Sequence, residues 1–152
     1  MNEMDIKFKD GLALALGLMI AGTGIAQAQS LILPNFLCTM TNKLDKFNWP
    51  GSEQDAFTPS QQAIFMICNS DNVYNGDRIK AVWIADHTGG YWPEHFTIGV
   101  IGKRFVKRPN QDETFEANLS MAKPCNGWPT GVYHVQLYVN EVEDKSYTFQ
   151  VR

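Results

Sequence analysis

Between Tyr133 and Val139 the chain alternates strictly: Tyr133, Val135, Leu137 and Val139 take turns with His134, Gln136 and Tyr138. A β-strand sends successive side chains to opposite faces, so such a run buries one side and wets the other. The same period returns elsewhere. Ile79, Ala81, Trp83 and Ala85 alternate with Arg78, Lys80, Val82 and Ile84, and Phe115, Ala117, Leu119 and Met121 with Glu116, Asn118 and Ser120. Tyr147, Phe149 and Val151 alternate with Ser146, Thr148 and Gln150. Two further runs rich in β-formers span Ala63–Cys68 and His95–Gly102. Asn69 to Asn72, Asn75-Gly76-Asp77 and Gly89-Gly90 supply turns between them. After residue 30 no segment carries a helical stripe of ten or more residues. Short strands punctuated in this way predict an all-β protein, an antiparallel sandwich or barrel. Its core is expected to hold Trp83, Phe115, Tyr133, Leu137 and Phe149.

The first residues follow a different rule. Lys7 and Lys9 precede an apolar run from Gly11 to Gly22, and Ala26-Gln27-Ala28 closes the segment. A basic flank, a short hydrophobic stretch and a small-x-small end are the marks of a signal peptide. The run is shorter than the roughly 20 apolar residues of a membrane-spanning helix. Cleavage after Ala28 is the expectation and retention as an anchor the alternative, with Glu3, Asp5 and Asp10 diluting the positive flank. The chain therefore divides into a signal peptide (1–28), an irregular segment with a first strand around Phe36–Thr41 (29–60), and the β-sandwich core (61–152). A periplasmic or secreted location follows, with no stable membrane span after processing.

With 152 residues, 44% of them hydrophobic and 19% charged, the chain has the size and balance of one globular domain. A net charge of -3 gives no basic excess to neutralise phosphates, so nucleic acid is not an expected partner.

Cys38, Cys68 and Cys125 all lie beyond Ala28 and would meet an oxidising compartment. Three cysteines permit one disulfide and one spare thiol. If Phe36–Thr41 runs antiparallel to Ala63–Cys68, Cys38 near the start of one strand falls beside Cys68 at the end of the other. Bridging requires Cα atoms within about 7 Å, which favours Cys38–Cys68. Cys38–Cys125 and no bridge remain the alternatives.

The carboxyl-terminal third resembles the end of bacterial exported immunoglobulin-like modules. The residues that carry the likeness are Trp128-Pro129-Thr130-Gly131-Val132-Tyr133, then Val135, Leu137 and Val139, and finally Phe149 and Val151. Trp83 is similar to the core tryptophan of that fold. The resemblance covers about residues 61–152 and implies an immunoglobulin-like antiparallel β-sandwich. It implies no function, since such sandwiches host unrelated roles. The chain departs from true immunoglobulin domains in lacking a cysteine on its penultimate strand.

Candidate sites are few. Aromatic residues beside turn formers, Tyr74, Tyr91, Trp92 and Trp49, offer large contact area at low entropic cost, and the run Gly89 to Pro93 is the densest. Lys103, Arg104, Lys107 and Arg108 form the one charge cluster, read either as a patch for an acidic partner or as an edge strand guarded by cations. His87 and His95 with a carboxylate would be a zinc set by residue type, but their spacing matches no compact ligand motif. No serine has an elbow-like glycine frame, and nothing around Cys125 has the form of a catalytic thiol site. The expectation is an exported, non-catalytic binding or accessory protein without a cofactor or metal, recognising a protein or cell-envelope component. A structural subunit of an extracellular assembly and a small hydrolase or metal-dependent enzyme are the rival readings.

Overall fold

The structure, a computed structural model, describes residues 34–106 and 114–152. Nine strands and no helix occur among them: β1 (Leu37–Thr41), β2 (Ala56–Phe57), β3 (Ala63–Ser70), β4 (Arg78–His87), β5 (Phe96–Arg104), β6 (Phe115–Asn118), β7 (Met121–Ala122), β8 (Gly131–Val139) and β9 (Val142–Val151). They form two sheets. One has the order β1-β3-β6 with β7 also on β3, and the other has the order β2-β9-β8-β4-β5. Every pairing is antiparallel except β2 with β9. The expected signal peptide lies outside the described residues.

Alternation along β4, β8 and β9 becomes burial. Ile79, Ala81, Trp83 and Ala85 are sealed from solvent, as are Tyr133, Val135, Leu137 and Val139, with Phe149 and Val151 beside them. Ile64, Met66, Cys68, Ala117 and Leu119 of the other sheet and its connections belong to the same buried cluster. The Trp83 indole N–H donates to the Leu119 carbonyl at 3.1 Å, joining the two sets of residues by a polar contact as well as by packing. Phe115 is the exception to the expected core. It is only partly buried, and it packs edge-on to Phe36 and Phe105 with ring centroids 6.1 and 5.1 Å away.

The expected strand Thr114–Met121 is broken in two for a local reason. Asn118 Oδ1 accepts from the Ser120 backbone N–H and hydroxyl, while Ser120 Oγ accepts from the Met66 N–H at 3.1 Å. A side chain thus takes a ladder position, as serine and asparagine do when they compete with backbone partners. The register on β3 is unchanged across the break, Ile67 facing Asn118 and Ile64 facing Met121.

Segment 34–60 contributes to both sheets. β1 lies antiparallel to β3 with Cys38 directly opposite Cys68, and these two form the disulfide, their Cα atoms 4.0 Å apart. Closing a separation of 30 residues contributes about 3–4 kcal/mol by loop entropy. Cys125 is free and exposed. β2, absent from the sequence reading, has two residues and hence no period to detect. It is held by Phe57, buried and edge-on to Phe149 at 5.6 Å. Among the described residues no helix is long and apolar enough to cross a membrane.

Candidate functional site

The β4–β5 connection gathers most of the chemistry. Gly89 and Gly90 have φ of 60° and 85°, and the Tyr91 N–H donates to the Thr88 carbonyl at 3.1 Å. Positive φ at both central residues is what a type I′ turn demands, and glycine meets it without strain. The Trp92 N–H donates to Thr88 Oγ1 at 3.0 Å, and the His95 N–H to the Asp86 carbonyl at 3.3 Å. The connection is thereby tied down at its middle and at its return.

That frame fixes three aromatic rings. Tyr91 meets Trp92 edge-on with centroids 5.3 Å apart, and Trp92 stacks on Phe96 at 5.6 Å. Tyr91 is 50% and Phe96 40% exposed, while Trp92 leans on the core. Beside them lies an open groove of about 480 Å³, its apolar side made by Tyr91, Trp92 and Pro93 and its polar side by His87, Thr88 and Glu94. His87 Nδ1 stands 3.4 Å from Glu94 Oε1 across the connection.

A second polar group adjoins it through a β-bulge. Ala85 pairs with Tyr133 but His87 with Val132, so Asp86 is one residue more than β8 can match. A bulge re-aims the side chains around it. Asp86 here reaches two imidazoles, Oδ1 lying 2.9 Å from His95 Nδ1 and Oδ2 2.7 Å from His134 Nδ1. An ionised carboxylate only accepts, so both imidazoles donate through Nδ1 and keep Nε2 for other partners. His95 holds its position at φ 54°, a left-handed conformation more accessible to His than to most residues. Gly131 makes the bulge possible. A Cβ there would stand 2.1 Å from the His87 carbonyl oxygen.

The described residues singled out from the sequence fall into three places. Tyr91 and Trp92 are at the His87 end of β4. Tyr74, 69% exposed, lies in the turn that precedes Arg78 at the other end. Ten residues of strand separate the ends by about 30 Å. Lys103 and Arg104 belong to that Arg78 end, opposite Ile79 and Arg78 on the edge strand β5. Lys107 and Arg108 lie outside the described residues. Trp49 is exposed in a separate turn, where Asp45 Oδ1 accepts from the Phe47 and Trp49 N–H groups.

No protein-family model matches the chain, and no curated protein matches it.

His87 and His95 do not converge on one point: each has its own carboxylate, and among the described residues no group of three His, Cys, Asp or Glu is placed to hold a metal ion. Sequence reasoning overlooked His134 and Phe96. The signal for His134 was present, because alternation puts it on the same face as Ile84, its cross-strand partner, with Asp86 two residues further along.

Proposed function

We propose that this is an exported, non-catalytic binding or accessory protein that recognises a protein or cell-envelope component through its β4–β5 connection. The observation that carries the proposal is the aromatic set of exposed Tyr91 and Phe96 with half-buried Trp92 between them, held on an anchored turn beside a groove. Large rings that keep exposed surface while their backbone is fixed lose little entropy on contact, which suits a binding surface.

We read the fold as an immunoglobulin-like sandwich. The order β1-β3-β6 matches the first, second and fifth strands of such a domain on one sheet, and β9-β8-β4 matches its seventh, sixth and third on the other. Tyr133 near the start of β8 donates its hydroxyl to the Pro129 carbonyl, in the manner of a tyrosine corner. The Cys38–Cys68 disulfide suits an oxidising compartment and so supports export, for which residues 1–28 are the direct signal.

Assembly through strand addition on β5 fits less well. That edge carries a bulge at Ile98, where Trp83 pairs with Gly99 but Ile84 with Thr97, and it ends in Lys103 and Arg104. Bulges and edge cations discourage strand addition.

The test is capture from a cell-envelope extract by immobilised protein, comparing the native chain with Tyr91→Ala. Recovery that falls for the variant supports the loop as the recognition surface. Recovery that is undiminished rejects it.

A further inference from the structure

We infer that the β4–β5 groove binds a neutral saccharide, an inference that rests on the loop being the recognition surface and names its ligand. A pyranose ring has a face of C–H groups and a rim of hydroxyls, each of which both donates and accepts. The C–H face needs an aromatic ring whose electron-rich side is exposed, and Tyr91 at 50% exposure supplies one beside the half-buried Trp92. Hydroxyls need donors and acceptors close together. His87 and Glu94 provide such a couple, 3.4 Å apart and with 69% and 73% of their side chains exposed. The volume of about 480 Å³ falls within the ~300–1,000 Å³ usual for small-molecule sites.

Other ligand classes fit the lining less well. Among the described residues no lysine or arginine lines the groove, and Glu94 does, which is unfavourable for phosphates and acidic peptides. A quaternary ammonium group needs several ring faces converging on one point. Here Trp92 spends one face stacking on Phe96, with planes only 24° apart, and Tyr91 meets Trp92 edge-on. The rings make a row rather than a cage.

The deciding experiment is a titration of the isotopically labelled protein, followed by nuclear magnetic resonance, with chitotriose, maltotriose and cellotriose, and with choline as a contrasting probe. At least one trisaccharide is expected to shift the Tyr91, Glu94 and Trp92 indole signals saturably. Affinity should weaken about tenfold in Tyr91→Ala, roughly the loss of one stacking contact. Glu94→Gln is expected to weaken it less and to leave the remaining spectrum native. Silence of all three sugars, or saturable shifts with choline alone, overturns the inference. If the sugars are silent while Tyr91→Ala still abolishes capture from envelope extract, the saccharide assignment fails and the loop reading stands. If capture is also unaffected, both fail.

Discussion

The two ends of β4 carry similar polar side chains but commit them differently. At the Arg78 end, Asp77 accepts from the Tyr74 N–H at 2.7 Å and from Asn140 Nδ2 at 2.8 Å, and Asn140 Oδ1 accepts from the Arg78 N–H at 2.9 Å. These side chains satisfy backbone groups of two turns and fasten β8–β9 to β3–β4. At the His87 end, Asp86 bonds two imidazoles and Glu94 faces a third. Side chains bonded to side chains can exchange partners without unpairing a backbone group, whereas opening the Asp77–Asn140 arrangement releases the backbone N–H groups of Tyr74 and Arg78 and unties the two turns. The first end is built for stability, and the second has polar capacity left for a ligand.

The largest expected effect tests what holds the second end. Gly131→Ala forces a Cβ against the His87 carbonyl oxygen at 2.1 Å and the Thr88 Cα at 3.0 Å, backbone atoms that cannot swing away. Relief requires the bulge at Asp86 to shift, and a loss of about 3 kcal/mol or more is expected in thermal or denaturant unfolding. A native melting curve would mean that the bulge is not what sets Asp86. Next comes Asn140→Ala at the first end. It removes two side-chain hydrogen bonds and places alanine at φ 49°, so about 1–2 kcal/mol should be lost in chemical unfolding. If that variant proved neutral, the contrast between the ends would collapse.

How much of this was legible from the residues depends on whether the signal is periodic. β4, β8 and β9 announce themselves by alternation, and the Cys38–Cys68 bridge follows from laying one short strand against another. The two residues of β2 carry no period, and the break between β6 and β7 depends on two side chains replacing backbone partners. Asp86 meets His134 on a face that alternation already assigns to both, whereas the extra residue in β4 is a single-residue slip, invisible to a pattern of period two. Tyr74 on one side and Tyr91 with Trp92 on the other flank the same strand, β4. The turns that precede and follow one strand must lie at its opposite ends.

Tyr133→Phe is a smaller probe of the second end. Its hydroxyl donates to the Pro129 carbonyl just upstream of Gly131, and its loss should cost about 1 kcal/mol. The alkaline limb checks the same residue. Burial pushes the Tyr133 hydroxyl up from 10.0 to about 12, so the folded chain keeps it neutral where the unfolded chain ionises. A group with a raised folded value gives its full contribution below the unfolded value. Stability should therefore hold up to about pH 10 and decline from there toward pH 12. Denaturant midpoints measured across that range should fall less steeply in Tyr133→Phe than in the native chain.

The smallest expected stability change belongs to Tyr91→Ala, and it bears most directly on the contrast between the ends. Tyr91 is half exposed, and its backbone is held by the turn rather than by its ring, since its N–H reaches the Thr88 carbonyl whatever the side chain. Truncation should leave unfolding within about 0.5 kcal/mol of the native chain, as for surface positions without a structural duty. A loss several times larger would make the Tyr91 ring a strut of the loop and remove the reason for assigning it to recognition. A neutral melting curve together with lost binding would separate the two ends of β4 most sharply: one set of side chains whose removal is felt in folding, another whose removal is felt only when a ligand is present.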